Sequence, residues 1–386
     1  MSTGKPRSIF EEVGSSDAAA PAPKSAAPAK AKRTPARRGI AIWLGILFAL
    51  VTAMILVGGL TRLTDSGLSI TEWKPVTGAI PPLDAATWDE EFAKYQEIPQ
   101  FELVNSTMTL AEFKVIYWWE WAHRQLGRFV GLVWAVGFVG FLAFRKIPPG
   151  WTPRLLALGA LGGLQGAIGW WMVASGLTEG MISVASYRLA VHLGLAVTIL
   201  GLITWYILRL SRSEADLLQA RRQRNEPLMR WSTIFAVAIG LQILLGALVA
   251  GIDAGRTYTD WPLMGGEIFP SASFDLTPTW RNFMENPALV QFNHRVAGYL
   301  VAILGLVAWL KSRKSSLTSI RRAFDAVGVV LVVQMVLGIV TVITAAPWQL
   351  AILHQLVAVL LLTLILRARF VAQFPPTQKI ARGAPA

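Results

Sequence analysis

The sequence predicts an all-α integral membrane protein with eight transmembrane helices, arranged as two four-helix bundles related by a pseudo-two-fold axis. Two observations predict this fold class. Hydrophobic residues make up 54% of the 386 residues and charged residues only 15%, a balance too apolar for an ordinary soluble chain. The apolar residues also fall into blocks of about twenty, the length that crosses a bilayer as a helix.

The apolar blocks lack the short alternating pattern of a membrane barrel, so we interpret each one as a helix. The predicted spans are 40–61, 122–144, 154–175, 187–209, 231–252, 291–310, 322–344 and 348–366. The chain has no cysteine. This absence excludes disulfides and thiolate ligation of a metal or haem.

The chain has a net charge of +13, and its basic residues are distributed as in a membrane protein rather than as on a nucleic-acid-binding surface. Lysine and arginine crowd the N-terminal segment, alternate loops and the C-terminal tail, whereas the intervening loops are acidic or nearly uncharged. This distribution predicts cytoplasmic termini and an external loop at 63–118. We therefore expect contact with membrane lipid and no binding to nucleic acid.

The second half of the chain repeats the first. Residues 58–67 and the following Thr71-Glu72-Trp73 match residues 246–255 and Thr259-Asp260-Trp261 without a gap. Both copies begin on the same side of the membrane, so the repeat is parallel. The predicted domains are a disordered basic segment 1–38, a four-helix bundle 39–210, a cytoplasmic linker 211–229, a second bundle 230–370 and a tail 371–386.

The four histidines occupy matched positions in this repeat. His123 and His294 lie near the predicted start of the second helix of each half, and His192 and His354 lie five or six residues into the fourth. Buried imidazole is costly in a membrane without a function. Two imidazoles facing each other across a bundle suit the axial ligation of haem iron. Hydrogen bonding between helices is the alternative. Zinc is disfavoured because it needs three or four ligands.

Two glycines lie one helical turn after a histidine. Gly127 follows His123 and Gly298 follows His294, each by four residues and on the same helix face. A flat macrocycle would need that face clear. Close packing of helices is an equally good explanation for a glycine in a membrane helix.

Arginines accompany the histidines near the predicted outer surface. Arg124 and Arg295 directly follow His123 and His294. They could pair with haem propionates through charge-assisted hydrogen bonds, or extend to lipid headgroups. The same alternatives hold for the neighbouring arginines without counterparts in the other half, Arg128 and Arg188.

One residue breaks the repeat. Glu120 lies one turn before His123, whereas Gln291 lies at the equivalent position before His294. A carboxylate can act as a base or stabilise developing positive charge, and an amide cannot act as a base. We predict that the first half hosts chemistry and the second half a permanent haem. The alternative is a solvated acid at a loop–helix junction.

These residues resemble the haem A synthase family of eight-helix membrane oxidases, over about 40–368. The resemblance rests on Glu120-x-x-His123-Arg124, His192, Asn293-His294-Arg295, His354, residues 58–69 and Glu72-Trp73-Lys74-Pro75. The last two stretches are typical of the alphaproteobacterial and mitochondrial branch. Other branches have a cysteine pair in an outer loop. A mechanism that needs those thiols cannot operate in this chain.

The resemblance implies that haem O is oxidised at a methyl group to a formyl group, which gives haem A for cytochrome oxidase. It implies substrate haem between His123 and His192, haem B between His294 and His354, and Glu120 as the essential acid. It further implies haem O synthase and cytochrome oxidase assembly factors as partners and a bacterial inner-membrane location, and it leaves open whether the chain forms a homo-oligomer.

Two axial histidines would leave the substrate iron no free position for dioxygen. The hypothesis is then that electrons leave the methyl group and water attacks a cation, which Glu120 stabilises or deprotonates. Dissociation of one axial histidine would again permit oxygen activation. Two other functions stay open: a di-haem electron-transfer cytochrome that modifies no haem, and a transporter with histidines as proton relays.

Overall fold

The computed structural model describes residues 35–178 and 180–376. In these residues the helices are α1 Pro35–Leu63, α2 Ala85–Gln96, α3 Pro99–Val104, α4 Leu110–Ala143, α5 Thr152–Gly176, α6 Ser186–Leu210, α7 Glu214–Arg221, α8 Glu226–Gly251, α9 Asn282–Glu285, α10 Pro287–Arg313, α11 Thr318–Ile343 and α12 Trp348–Gln373. Eight of them, α1, α4, α5, α6, α8, α10, α11 and α12, are long and apolar enough to cross a membrane. The predicted all-α membrane fold is confirmed.

The second spanning helix begins earlier than its apolar block. The predicted start was near 122, but α4 begins at Leu110. The side chain of Thr109 accepts a hydrogen bond from the Glu112 amide, and the Glu112 carboxylate accepts one from the Thr109 amide. This capping box starts the helix. His123 therefore lies well inside α4 rather than in its first turn.

Each half forms a closed ring of four helices. In the first half, α1 packs on α4 and α6, and α5 packs on the same two helices. In the second half, α8 packs on α10 and α12, and α11 packs on the same two. The helices that contain histidine, α4 with α6 and α10 with α12, are therefore diagonally opposite. The two rings meet through α6 against α8 and through α1 against α12.

The ends of α1 and α8 show the repeat in their backbone. Asp65 and Asp253 have left-handed φ angles of 52° and 54°, and they occupy equivalent positions of the repeat. The Arg62 guanidinium donates to both carboxylates, at 2.8 and 2.7 Å. This side chain joins the two halves directly. The pseudo-two-fold axis and the cytoplasmic side of both termini stay predictions.

Packed apolar side chains fill one end of each ring. In the first half, Trp43, Leu44 and Phe138 belong to this core, and in the second half Phe235 and Phe324 do. These residues lie far along the helices from the histidines. The core therefore closes one end of each bundle and leaves the other for the imidazoles.

The long loop between α1 and α4 folds over its bundle. Its helix α2 is capped by the Asp84 carboxylate, which accepts from the Thr87 amide at 2.9 Å. Its buried faces, Trp88 and Tyr95, pack with Phe113 of α4 in one apolar cluster. Of the predicted terminal segments, residues 1–34 and 377–386 lie outside the described residues.

Candidate functional site

The four histidines form two pairs, each on diagonally opposite helices of one ring. His294 on α10 and His354 on α12 have ring centroids 6.4 Å apart, at an interplanar angle of 74°. Two imidazoles that bind one metal ion at about 2.0–2.1 Å each leave ring centroids about 6 Å apart. The second pair therefore has the spacing of two axial ligands. His123 on α4 and His192 on α6 lie within electrostatic range of each other.

Each imidazole of the first half lies against a glycine of the preceding helix. A Cβ atom on Gly58 of α1 would lie 2.9 Å from Nε2 of His123. A Cβ atom on Gly169 of α5 would lie 2.9 Å from Cε1 of His192. Any larger residue at these positions would push the ring aside.

The second half repeats this arrangement. A Cβ atom on Gly246 of α8 would lie 3.1 Å from Cε1 of His294, and one on Gly338 of α11 would lie 3.0 Å from Cε1 of His354. All four rings thus use the space left by a missing side chain. The motif pattern contained these glycines, but the sequence did not identify them as site residues.

Gly127 and Gly298, the glycines predicted to clear a macrocycle face, lie close to side chains of α1 and α8. A Cβ atom on Gly127 would lie 3.3 Å from the Met54 methyl group, and one on Gly298 would lie 3.4 Å from the Gln242 amide nitrogen. These contacts support the helix-packing explanation. A macrocycle-facing role for either glycine stays a prediction.

Three glutamines contact histidines and were missed by sequence reasoning. Their amide nitrogens donate to a ring nitrogen of the adjacent histidine at 3.1, 3.1 and 3.2 Å. The pairs are Gln165 with His192, Gln242 with His294, and Gln334 with His354. Each glutamine precedes its cradling glycine by four residues, so one helix face presents both. The threefold spacing Gln-x-x-x-Gly was the available signal.

Several polar atoms near the imidazoles are buried without a hydrogen-bond partner in the described chain. They are Oε1 of Gln165, Gln242 and Gln334, and Nδ1 of His354. An unsatisfied buried polar atom costs about 1–3 kcal/mol, so such a cluster is unusual without a ligand. Paired imidazoles, glycine cradles and orphaned polar atoms together fit a haem group in each half.

Glu120 is buried at the end of the first ring that the loop between α1 and α4 covers, with 2% of its surface exposed. One carboxylate oxygen accepts from the Ser69 hydroxyl and the Ile70 amide, both at 2.8 Å. The other accepts from Arg124, at 3.1 Å from Nε and 2.6 Å from Nη2. A carboxylate has about four acceptor positions, and all of them are used here. Glu120 is therefore not a solvated acid at the membrane border.

The two arginines that follow a histidine bind the same loop positions in both halves. Arg124 donates to the carbonyl oxygens of Ile70 and Glu72, at 2.7 and 2.9 Å. Arg295 donates to the carbonyl oxygens of Tyr258 and Asp260, both at 2.9 Å. Since Ile70 and Tyr258 are equivalent in the repeat, as are Glu72 and Asp260, the arginine clamp is itself repeated.

The remaining two arginines also bind backbone carbonyls. Arg128 donates to Lys74 and Pro75, at 2.9 and 2.8 Å. Arg188 donates to Trp171 at 2.7 Å and lies over the indole ring of that residue. Contact of any of these arginines with propionates or lipid headgroups stays a prediction.

The chain is similar to known proteins over nearly its whole length. The family model for cytochrome oxidase assembly proteins matches residues 41–366. The chain is 61% identical to the haem A synthase of Dinoroseobacter shibae, over 98% of this chain and 99% of that one. It is 61% identical to the haem A synthase of Paracoccus denitrificans, over 96% and 97%.

The chain belongs to the haem A synthase family. The matched range includes all four histidines and Glu120. These relatives, like a further one from Ruegeria that is also 61% identical, are of nearly the same length as the chain. The resemblance inferred from the motifs is therefore confirmed at the level of the family.

Glu72 and Asp260 occupy equivalent positions in the two loops, and different contacts stabilise their carboxylates. Hydrogen bonds from the Lys74 and Lys94 ammonium groups lower the pKa of Glu72 below its usual value. Hydrogen bonds from the backbone amides of Gly266 and Gly265 lower the pKa of Asp260. Both loops thus present ionised carboxylates beside the clamping arginines, one through ion pairs and the other through peptide dipoles.

Proposed function

We propose that this chain is a membrane oxidoreductase that oxidises a methyl group of haem O to a formyl group and so makes haem A. The substrate haem is held in the first half, with His123 and His192 as the residues on either face of its iron. The di-haem electron-transfer cytochrome and the transporter are the competing functions.

One observation favours a substrate haem in the first half over the alternative of two equivalent haem sites. Both halves have paired imidazoles, glycine cradles and an arginine clamp, but among the described residues only the first half has a buried carboxylate. Glu120 lies one helical turn before His123, so its negative charge is close to whatever His123 binds. An asymmetric charge is expected where only one of two sites performs chemistry.

The residues of the second half fit a permanent haem B. His294 and His354 would ligate its iron from α10 and α12, and Gly246 and Gly338 leave room for their rings. A bound haem B would supply single-electron transfer at that position. Arg295 and Gln291 hold the adjacent loop.

Glu120 has two tasks in this proposal. It neutralises Arg124 and fixes the loop at Ser69 and Ile70 over the first ring. A negative charge held in place by these donors can also stabilise positive charge that develops on the substrate. To accept a proton, Glu120 must first lose one of its present donors, because all four acceptor positions are used.

The cellular setting is proposed on family grounds. The relatives are named haem A synthases, and the matched family is described as cytochrome oxidase assembly proteins. We therefore propose that haem O synthase and cytochrome oxidase assembly factors are the partners, that the chain lies in the bacterial inner membrane with both termini inside, and that it self-associates.

The test uses purified full-length protein incubated with haem O. Pyridine haemochrome spectra and the mass of extracted haem report the formyl group. We expect formyl product from the wild type, and from Glu120→Gln bound haem without product. Gln291→Glu, which places the acid in the second half, is the matched control and should retain product.

The outcomes separate the competing functions. Undiminished haem A from Glu120→Gln would remove Glu120 from the chemistry. Two bound haems with no conversion by the wild type would support the di-haem cytochrome. A colourless, iron-free wild type would support the transporter.

A further inference from the structure

An open cavity of about 390 Å³ lies at the end of the second ring that is away from the histidines. The end of α7, the first turns of α8 and the last turns of α12 form its walls. Four arginines line it, namely Arg221, Arg224, Arg230 and Arg369. Small-molecule sites in proteins commonly have volumes of about 300–1,000 Å³, so the cavity is large enough for a charged headgroup.

The cavity carries an excess of positive charge. Glu226 is the one carboxylate among the described residues that line it, and it accepts from Nε of Arg224 at 2.8 Å. Within the described part of the chain, no carboxylate forms an ion pair with Arg221, Arg230 or Arg369. Three of the four arginine charges are therefore not neutralised by a neighbouring acid.

Arg369 is held in the wall of the cavity by neutral contacts. Its Nε donates to the Thr233 hydroxyl at 2.8 Å, and its Nη1 donates to the side-chain oxygen of Gln373 at 2.9 Å. Its guanidinium lies 4.9 Å from the ring centre of Trp205. These contacts orient the side chain and leave its charge unbalanced. A guanidinium presents a planar fork of donors that matches the oxygens of a phosphate group.

The repeated scaffold does not require these arginines. Counted from the matched glycines and histidines, Arg230 of α8 corresponds to Ile42 of α1, and Arg369 of α12 corresponds to Ile207 of α6. The first half thus forms its four-helix ring with apolar residues at both positions. A bias of basic residues toward one side of the membrane explains arginines in loops, but not a half-buried arginine in a cavity wall.

An apolar strip continues from the cavity along α8. Ile234, Val237 and Leu241 are exposed, and their spacing places them on the helix face that carries Arg230. From Arg230 to Leu241 the helix rises about 16 Å. This length is about half of the hydrocarbon core of a bilayer, which is about 30 Å thick. The strip therefore matches an acyl chain of one leaflet.

We propose that the cavity binds the phosphate group of an anionic phospholipid, with an acyl chain along the apolar strip of α8. Arg230 and Arg369 are the residues that contact the phosphate. Basic pockets between spanning helices are typical headgroup sites on the side of the membrane with the basic loops. A free phosphate would use the same arginines, but the strip favours the lipid. The proposal does not depend on haem in either half.

Lipid binding to the purified full-length protein in a neutral detergent tests the proposal. Native mass spectrometry counts bound phosphatidylglycerol, which is the anionic probe, and phosphatidylcholine with the same acyl chains, which is the zwitterionic probe. Inorganic phosphate is the third probe, because it has the charge without the chain. We expect the wild type to bind phosphatidylglycerol at concentrations that give no bound phosphatidylcholine, and inorganic phosphate at the same concentration not to displace it.

Arg230→Gln should weaken the binding of phosphatidylglycerol about fivefold, the contribution of one basic residue beside an anionic headgroup. Arg230 is exposed, so its replacement should not disturb the fold. Arg230→Lys keeps the charge and should bind more tightly than Arg230→Gln. Arg367→Gln is the matched control, because it removes one exposed charge from the same part of α12 but does not line the cavity. It should bind as the wild type does.

Three results would overturn the proposal. Equal binding of phosphatidylglycerol and phosphatidylcholine would show that the cavity does not select an anionic headgroup. An equal loss of binding in Arg230→Gln and Arg367→Gln would show a general attraction to the basic side of the protein. Displacement of phosphatidylglycerol by inorganic phosphate at the same concentration would assign the cavity to a free anion.

Discussion

The ends of the two halves that contain the arginine clamps share a scaffold and differ in one charge. Arg124 and Arg295 bind equivalent backbone carbonyls on the loops above their rings. In the first half, Arg124 is also neutralised by buried Glu120. In the second half, Gln291 donates to the Tyr258 carbonyl at 3.0 Å and forms no ion pair.

At this repeat position the second half has two unsatisfied atoms that Glu120 satisfies or replaces in the first half. Oε1 of Gln291 and Nε of Arg295 are buried without hydrogen-bond partners among the described residues. Nε of Arg124, by contrast, donates to Glu120. The repeat therefore preserved the arginine clamp, which holds the loop, and changed the group that can stabilise positive charge. The clamp belongs to the fold, and we propose that the acid serves the reaction.

The largest expected effect comes from removal of the buried acid. Glu120→Ala leaves the Arg124 charge buried and unpaired, and loss of one partner of a buried ion pair costs about 3–5 kcal/mol. Gln291→Ala removes one neutral hydrogen bond, worth about 1 kcal/mol. Unfolding of the purified proteins in the same detergent compares the two. Equal destabilisation would show that the Glu120 ion pair adds nothing.

An intermediate effect is expected from the glycine cradles. Gly58→Ala places a Cβ 2.9 Å from Nε2 of His123, and Gly246→Ala places one 3.1 Å from Cε1 of His294. Haem retention per chain should fall in both variants. In Gly58→Ala, the first half should lose more haem than the second half. Gly166→Ala is the control, because nothing lies within 4 Å of its Cβ position. Equal haem content in all three variants would contradict the claim that Gly58 and Gly246 leave the space that the imidazoles need.

The smallest effect is expected in the loops, where Glu72 and Asp260 occupy one repeat position. Both carboxyl groups have a lowered pKa in the folded protein. Their stabilisation is therefore present above the unfolded pKa, and it is lost as the pH falls through the folded value. Salt should weaken only the Glu72 loop, since its lysine partners are screened.

Hydrogen exchange of the two loops measures this difference. At pH 7, 1 M salt should speed exchange around Glu72 and leave the amides of Gly265 and Gly266 unchanged. Acidification below the folded pKa should speed exchange in both loops. An equal response of the two loops to salt would contradict the assigned partners.

Much of the fold was predictable because each spanning helix satisfies its own backbone hydrogen bonds and is recognisable in the sequence as a long apolar block. The start of α4 was not found in this way, since polar and charged residues occupy its first turns. The capping box at Thr109 and Glu112 was nevertheless visible in the sequence as Thr-x-x-Glu. The capping box was therefore an available signal for the start of α4, but the prediction relied on the apolar block, which begins later.

The site was predicted in part. Matched spacing identified the four histidines, and the family match covers all of them. The burial of Glu120 could not be predicted, because its donors Ser69 and Ile70 reach it only through the fold of the loop between α1 and α4. The contact of Gln165 with His192 likewise depends on how α5 is rotated against α6, which spacing within one helix does not define.

The most direct test of the paired-imidazole account is haem extraction with mass analysis from the wild type, His123→Ala and His294→Ala. The account predicts haem in both halves of the wild type. His294→Ala should lose haem B and keep the substrate haem, and His123→Ala should show the reverse. Loss of the same single haem from both variants, or an active wild type without iron, would contradict it.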